Sequence, residues 1–515
     1  MKKTTRLLLL LLSAIMMLTA FTACFKKNEN GGDATTDPAT DGTTNSTEVE
    51  TNKWGEEVLE HGIPEELSYD GAVINFLIPD VESYYREWTN DAENPSTLDQ
   101  KVLFRNRDVQ EDLDVVFQFT KRGAGEIGDV VSRDALNTRE LDIISNCLWE
   151  GGDVNLTAYY KNLCDADMTY LNLDQPYWNQ STNEVMRVND TQYSVTGDIN
   201  LSMWDRTHVV FFNKTKLPDY VNMTEDAFYD MVANGGFTYD YFYNLVKDIK
   251  VDDEDGTFGN NQDFIGLSSI VHTEASDGLF YAWDLNLTQV DTVTDAHTIV
   301  TGTSRQKIVD AFDKLINLYE SDGTYLQKNS APGGASGDNT RLFATGHALF
   351  IIDIIAHSSA DLAAKRDMAD GFGIVPLPKY DSNQTEYYTG VNSYANAIYV
   401  MDTPNDSEML SAVLELMAYR SYTEVRPYYI KSVLKARTLS EGASEMFDII
   451  MKGVRFDFID FFQAGGTDSF IGNLWRYPFQ EAMGGKDSAP RFTREEALNK
   501  ILEGIDEVLY DVRTA

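Results

Sequence analysis

Short apolar runs alternate with amphipathic stretches along most of the chain. Residues 71–80 (GAVINFLIPD) are an apolar run that ends in polar residues, which is the pattern of a buried strand followed by a loop. Residues 98–113 place apolar side chains among charged ones at helical spacing. Residues 114–120 (DVVFQFT) and 141–148 (LDIISNCL) indicate two further strands. This order is the βαβ pattern of a largely parallel sheet, and it predicts an α/β fold.

The extent of the pattern predicts two lobes. About 450 residues of patterned sequence are more than one hydrophobic core usually organises. No internal repeat is present in the sequence, which argues against a solenoid or a propeller. Near the end of the chain, Thr493 and Glu496 form a capping box ahead of helically spaced apolar residues between 498 and 509. We interpret this last helix as a packing element.

Aromatic and charged residues gather beside the predicted strands. In open α/β sheets ligands bind at the carboxyl ends of strands, so residues at these positions are candidates for a binding site. An aromatic ring covers the apolar face of a sugar while Asp, Glu and Arg bind its hydroxyl groups, so this combination favours a carbohydrate. The alternative is that the aromatic residues only close the core. The candidates are Asp80, Tyr84, Trp149, Glu150, Asp205 and Arg206.

The N-terminus has the pattern of an export signal. Basic residues precede an apolar stretch that is shorter than the roughly 20 residues of a membrane-spanning helix. Residues 21–24 (FTAC) resemble the lipobox of bacterial lipoproteins, which predicts a signal peptide over residues 1–23 and a lipid on Cys24. An ordinary cleaved signal with an incidental cysteine is the alternative. Residues 24–67 are predicted to be a disordered tether, because most of them are polar and few can be buried.

The charge of the chain narrows the range of partners. Lys and Arg total 42 against 82 Asp and Glu, which gives a net charge of −40. This field repels nucleic acid and anionic lipid headgroups. It also disfavours a phosphate or dicarboxylate ligand, unless a basic pocket overrides it.

The sequence shows no catalytic or metal-binding motif. Its six histidines form no H-E-x-x-H, and neither a G-x-S-x-G elbow nor a P-loop occurs. The acidic residues 251–263 would need calcium ligands where Val251 and Gln262 stand, so an acidic turn is favoured. We interpret Cys147 and Cys164 as buried thiols, with a disulfide between them as the alternative. The sequence therefore predicts no metal, no cofactor and no catalysis.

Four later segments occur in the order of one known family. The first two are residues 208–217 (HVVFFNKTKL) and 342–354 (LFATGHALFIIDI), and the others are residues 370–380 (DGFGIVPLPKY) and 392–400 (NSYANAIYV). They resemble the crossing and core strands of extracellular solute-binding proteins of the maltose-binding type, the substrate-binding lipoproteins of ABC importers. The resemblance implies two α/β lobes, each a mostly parallel sheet flanked by helices, joined by a hinge with several crossings.

The resemblance also implies lobe boundaries and site residues. The N-terminal lobe would comprise residues 68–212 plus 342–400, and the C-terminal lobe residues 213–341 plus 401–515. For Trp475 both a sugar platform and an ordinary packing role are open, and the family's order of segments favours the platform. The resemblance would also add to the site His272, Glu274, Asp353, His357 and Trp475.

These expectations predict a receptor at the outer face of the cell membrane. It would be a lipid-anchored monomer that captures a carbohydrate, in particular an oligosaccharide, and delivers it to the ABC permease subunits. No nucleic acid partner is expected. Two alternatives stay open: a receptor of the same fold for a peptide, another solute or signalling, and a surface glycosidase, which needs only two carboxylates beside a sugar.

Overall fold

The structure is a computed structural model, and it describes part of the chain. The chain divides into two units, Met1–Leu59 and Glu60–Ala515, and every element named below belongs to the second. The predicted signal peptide, Cys24 and most of the predicted tether lie outside the described residues and stay predictions. The described residues are 59–147, 154–187, 190–252, 263–290, 297–328, 338–358, 368, 371–392, 394–403, 405–430, 441–457, 472–484 and 490–514.

Strands and helices alternate over most of this length. The strands are β1 (Ala72–Pro79), β2 (Val115–Arg122), β3 (Ile143–Cys147), β4 (His208–Asn213), β5 (Lys250–Val251), β6 (Phe264–Ile270), β7 (Thr288–Val290), β8 (His297–Ile299), β9 (Thr324–Gln327), β10 (Ala348–Ile354), β11 (Phe372–Val375), β12 (Thr389–Gly390), β13 (Asn396–Val400) and β14 (Val454–Arg455). The helices are α1 (Glu82–Tyr85), α2 (Thr97–Leu113), α3 (Ile127–Leu136), α4 (Gln180–Met186), α5 (Leu201–Asp205), α6 (Leu217–Val221), α7 (Glu225–Ala233), α8 (Tyr239–Val246), α9 (Thr273–Ala282), α10 (Gly302–Glu320), α11 (Asp338–Ala344), α12 (Ser407–Arg420), α13 (Arg426–Tyr428), α14 (Glu441–Lys452), α15 (Tyr477–Met483) and α16 (Arg494–Thr514).

The first sheet contains strands from the beginning of the chain and one from much later. Its order is β13–β3–β1–β2, with β1 parallel to β2 and β3, and β13 antiparallel to β3. Between β1 and β2, α2 begins with a capping box: Asp99 N–H donates to Ser96 Oγ at 3.2 Å, and Ser96 N–H donates to Asp99 Oδ2 at 3.0 Å. The strands and the amphipathic helix predicted for this region are confirmed.

The second sheet is mixed rather than mostly parallel. Its order is β11–β4–β10–β6–β5, and β9 also pairs with β6. β10 runs parallel to β6, whereas β4 runs antiparallel to both of its neighbours, β10 and β11. The expected parallel arrangement is therefore wrong for β4, which runs opposite to the strand on each side of it.

The sheet partition also differs from the boundaries implied by the resemblance. Those boundaries place β4, β10 and β11 in the N-terminal lobe. In the structure β10 lies between β4 and β6 and is hydrogen-bonded to both, while β11 pairs with β4. Because β6 lies in the range assigned to the C-terminal lobe, these strands form one sheet with that lobe.

Both faces of the second sheet are buried, which explains its unbroken apolar runs. Along β4, Val210 and Phe212 belong to one hydrophobic core, and Val209 and Phe211 belong to a second core. All four side chains are buried. A strand that is covered on both faces has no polar side to present, so the four central positions of β4 are all apolar.

The prediction for the last helix is confirmed, and the prediction that both cysteines are buried is confirmed for one of them. Thr493 Oγ1 accepts from Glu496 N–H at 3.2 Å, and Thr493 N–H donates to Glu496 Oε2 at 2.7 Å, so the capping box at the start of α16 is confirmed. Ile501 of this helix is buried in the same core as Val210. Cys147 and Cys164 are thiols, but only Cys147 is buried, and Cys164 is half-buried.

Candidate functional site

The chain passes from the second sheet to the first between β11 and β13, and polar groups from both sheets meet there. Val391 bridges to Thr207, directly before β4. The N–H of Asn392 donates to the carbonyl of Arg206 at 2.9 Å, and its side-chain Nδ2 donates to Thr273 Oγ1 at 3.0 Å. Arg206 follows α5, and Thr273 begins α9 after β6. Asn392 therefore links the two sides of a candidate site.

The first-sheet side consists of Ser83, Tyr84, Arg206 and Tyr394. The Tyr84 ring stacks on the Tyr394 ring, with centroids 6.2 Å apart and planes inclined by 15°. The Arg206 guanidinium lies 5.5 Å from the centroid of the Tyr84 ring, and its Nη2 donates to Ser83 Oγ at 3.4 Å. Tyr84 is only 8% exposed, whereas Tyr394 is 38% exposed. Tyr84 therefore positions its neighbours, and Tyr394 is the ring that a ligand could cover.

The second-sheet side consists of His272, Thr273, Glu274, Asp277 and Arg476. β6 ends just before His272, and α9 carries the next three residues of this group on its first turns. His272 Nδ1 lies 3.3 Å from Glu274 Oε2, and Thr273 Oγ1 donates to the same oxygen at 3.0 Å. The hydrogen bond to Glu274 raises the pKa of His272, and burial opposes this shift. The imidazole is therefore held in its protonated form to a higher pH than an isolated histidine.

A π-helical turn over Gly472–Arg476 brings the arginine of this side into place. Arg476 Nη1 lies 2.7 Å from Asp277 Oδ2, and both side chains are about 10% exposed. Ser276 Oγ donates to the other carboxylate oxygen of Asp277 at 2.8 Å. Single π-turns within helices are frequently found at functional sites, because the wider turn re-aims a side chain. Here the turn directs Arg476 into a nearly buried ion pair.

Trp475 occupies the core rather than the surface of the site, which corrects the favoured platform role. Its side chain is 1% exposed. The ring meets Phe280 and Phe312 edge to face, with centroids 5.3 Å and 5.6 Å away, and Nε1 donates to the carbonyl of Ser276 at 3.2 Å. With its ring enclosed by other rings and its N–H satisfied, Trp475 has no face to offer a sugar in this arrangement. The structure favours the packing role that was the alternative.

Of the other predicted residues, some lie in the candidate site, some are directed into the protein's packing, and some lie outside the described residues. Tyr84 lies against Arg206 on the first-sheet side, and His272 lies against Glu274 on the second-sheet side. Asp80 is exposed directly after β1. Asp205 accepts a hydrogen bond from the Tyr429 hydroxyl at 2.6 Å, which directs its carboxylate into packing. Asp353 is buried, and its Oδ1 accepts from the N–H of Ile354 at 2.9 Å. Trp149, Glu150 and the side chain of His357 lie outside the described residues.

Six residues of the site were not predicted, and two of them, Ser83 and Thr273, are direct sequence neighbours of the predicted Tyr84 and His272. Asn392 and Tyr394 are polar or aromatic residues inside the segment 392–400, just ahead of a buried strand, and this position is the signal that could have identified them. Asp277 and Arg476 are ordinary charged residues in helices. Nothing in their local sequence indicates that they form a pair.

A cavity of about 610 Å³ lies at the other end of the same crossing segment. It is lined by residues 386–388, by parts of α4 and α14, and by Arg455. The Arg455 guanidinium covers the Tyr388 ring at 3.3 Å and pairs with Asp284 at 2.7 Å. Because this ring face is already occupied by the protein's own arginine, we favour the cluster around Asn392 as the ligand site.

The described part of the chain contains neither a metal-binding cluster nor a membrane-spanning helix. No group of three or more His, Cys, Asp or Glu side chains there is arranged to hold a metal ion. None of the helices described is both long and apolar enough to cross a membrane. The acidic segment 253–262 lies outside the described residues, so its predicted turn is untested.

Comparisons with known proteins give a match in fold and none in sequence. No protein-family model matches the chain, and no curated protein sequence matches it. The galacto-N-biose/lacto-N-biose I-binding protein of an ABC transporter from Bifidobacterium longum, in complex with lacto-N-biose, aligns with a TM-score of 0.55 and 11% identity. That alignment covers 87% of this chain and 98% of the other.

Two further solved structures align over similar lengths. A cyclo/maltodextrin-binding protein complexed with maltotetraose gives a TM-score of 0.52 and 12% identity over 86% of this chain and 98% of the other. A cyclic α-maltosyl-1,6-maltose binding protein from Arthrobacter globiformis gives a TM-score of 0.51 and 13% identity. That alignment covers 86% of this chain and 100% of the other. The chain thus has the two-lobed fold of solute-binding proteins of the maltose-binding type, which confirms the predicted fold class and the resemblance.

Proposed function

We propose that this protein is a receptor that binds a carbohydrate, in particular an oligosaccharide, between two lobes. The observation that carries the proposal is the cluster around Asn392. There an exposed tyrosine ring, a guanidinium and several hydrogen-bonding side chains from both sheets surround one crossing segment. Rings and polar groups in this combination suit a sugar, which has apolar C–H faces and hydroxyl edges. The fold shared with sugar-binding proteins supports the same conclusion.

The proposed lobes follow the two sheets. One lobe is built on the sheet β13–β3–β1–β2 and the other on the sheet β11–β4–β10–β6–β5. The chain crosses at Thr207 and again at Val391, which are bridged to each other. A hinge at these crossings would bring the first-sheet side and the second-sheet side together on a ligand.

The proposed setting is the outer face of the cell membrane, with lipid-modified Cys24 as the anchor and the permease subunits of an ABC importer as the partner. The N-terminal sequence and the fold support this setting. If the anchor is correct, cells that express the full chain retain it in the membrane fraction, and the Cys24→Ala variant appears in the medium. Tight membrane association of the variant would contradict the anchor.

Calorimetry tests the binding function directly. Purified protein is titrated with neutral trisaccharides of glucose, galactose, mannose and xylose in several linkages, and with tripeptides as a control class. We expect saturable binding of at least one saccharide and none of the tripeptides. The reverse pattern would replace the carbohydrate by a peptide.

The same mixtures test for turnover. The receptor function predicts that a bound sugar is recovered unchanged after prolonged incubation, as measured by chromatography of the saccharide. Release of shorter sugars at a rate proportional to protein concentration would favour the glycosidase alternative.

A further inference from the structure

Arg206 has no acidic partner among the described residues. Its side chain is half-exposed, and its contacts are the Ser83 hydroxyl at 3.4 Å and the Tyr84 ring at 5.5 Å. No further contact of this side chain is present in the described part of the chain. The adjacent carboxylate, Asp205, is directed away and accepts from Tyr429 instead. Arg206 therefore carries a positive charge that the described protein does not neutralise.

The neighbouring cations differ in this respect. Arg476 pairs with Asp277 at 2.7 Å, and His272 lies 3.3 Å from Glu274. Arg86, near α1, pairs with Asp99 at 3.2 Å. In a chain with 82 acidic residues against 42 Lys and Arg, an arginine in the site without a carboxylate partner among the described residues is unexpected. Its position suits a negative charge that comes from the ligand.

The orientation of Arg206 is prepared in advance. Its carbonyl accepts from Asn392 N–H, and its guanidinium lies over a Tyr84 ring that is itself stacked on Tyr394. The hydrogen bond fixes the Arg206 backbone, and the Tyr84 ring restrains the guanidinium, so the side chain loses little conformational freedom when it binds a planar group. Its parallel N–H groups match the two oxygens of a carboxylate.

Closure of the lobes distinguishes a neutral from an acidic ligand. A neutral sugar that excluded water from the site would leave the Arg206 charge buried with no counter-charge from the described residues, which is strongly unfavourable. A ligand carboxylate supplies that counter-charge. A saccharide with one uronic acid ring carries a single negative charge, so it suffers less repulsion from a protein of net charge −40 than a dianionic phosphate does.

Resting on the proposed function, we propose that the ligand is an acidic saccharide containing uronic acid, and that Arg206 binds its carboxylate. The first-sheet side thereby determines the charge of the ligand. Asp80 is exposed on the loop before α1 and forms no ion pair with Arg206 in the described structure. The counter-charge for Arg206 would therefore come from the ligand.

The test uses matched acidic and neutral ligands. Trisaccharides that contain one galacturonic, glucuronic or mannuronic acid ring are compared by calorimetry with their methyl esters, which keep the ring and lose the charge. The proteins are the full chain, Arg206→Gln, Arg206→Lys and Arg133→Gln, which replaces an exposed arginine on α3 as the matched control. We expect at least one acid to bind about 10- to 100-fold more tightly than its ester. Arg206→Gln should remove this preference, and Arg206→Lys should retain part of it.

Each other outcome overturns the inference in a recognisable way. If an ester binds as tightly as its acid, the ligand is neutral and the carbohydrate function stands. If an acid is preferred but Arg206→Gln keeps the preference, another cation binds the carboxylate. If sulfated trisaccharides bind more tightly than uronates, the anion is a sulfate. If only the neutral panel above binds, this inference fails alone; if no saccharide of either panel binds, the proposed function fails with it.

Discussion

The two sides of the candidate site hold their arginines in opposite ways. On the second-sheet side, Arg476 and Asp277 form a nearly buried ion pair at 2.7 Å. On the first-sheet side, Arg206 is half-exposed and is held by a hydroxyl and a ring. A buried ion pair needs both partners, because removing one leaves an uncompensated charge. A partly exposed cation is solvated by water and therefore does not need a protein partner before a ligand binds. From this difference we expect the second-sheet side to stabilise the fold, and under the proposed function we expect the first-sheet side to select the ligand.

The largest expected effect falls on the tryptophan behind the second-sheet side. Trp475→Ala removes a 1% exposed side chain packed against Phe280 and Phe312. It should lower the free energy of unfolding by about 3–5 kcal/mol, the usual cost of deleting a large buried aromatic group. Denaturant unfolding measures the loss, and Trp475→Phe, which keeps a ring, should retain a larger part of the stability. An unchanged midpoint together with weaker sugar binding would return Trp475 to the ligand surface and break the comparison.

The second largest expected effect is the loss of stability when the ion pair of the second-sheet side is broken. Asp277→Asn leaves Arg476 without a counter-charge in a nearly buried position, and we expect a loss of about 3 kcal/mol in the free energy of unfolding. The matched control is Glu503→Gln, which breaks an exposed pair with Lys500 at 3.0 Å and should change stability by at most about 0.5 kcal/mol. Equal losses in the two variants would show that the buried pair has no special role.

On the first-sheet side the expected effect is on affinity. Tyr394→Ala removes a ring that is 38% exposed, so the midpoint of unfolding should change little. Sugar affinity should fall by about 1–2 kcal/mol, the scale of one aromatic face in contact with a ligand. Tyr394→Phe keeps the ring and should keep most of the affinity. A similar loss in both variants would mean that the hydroxyl, and not the ring, contacts the ligand.

The smallest expected effect is a pH dependence of stability from His272. Glu274 raises the folded-state pKa of His272 above its ordinary value of 6.5, so the stabilisation is fully present below that value and is lost as pH rises through the folded-state pKa. The effect should be modest because the side chain is 44% exposed. The difference in Tm between the native protein and His272→Gln should be largest near pH 5.5 and should shrink toward pH 8. A difference that grows with pH would have the wrong sign for this pair.

Part of the site was accessible from sequence because its residues follow strands. Tyr84 comes after β1, and His272 and Glu274 come after β6, so a correct strand prediction places them at a sheet edge. Two predictions made on other grounds failed: Trp475 came from the family's order of segments, and Asp205 came from its position just before β4. Both lie at suitable positions along the chain, but their side chains pack against residues far away in sequence.

The sequence by itself determined the local elements and their approximate ends. Apolar spacing and capping pairs such as Thr493 with Glu496 act within a few residues, so they can be recognised without the fold. Only the tertiary structure decided which sheet each strand joined, that Trp475 is buried, and that Arg476 pairs with Asp277, 199 positions away, while Arg206 meets no carboxylate among the described residues. These outcomes depend on which distant residues the packing brings together, and a one-dimensional pattern contains no record of those distances.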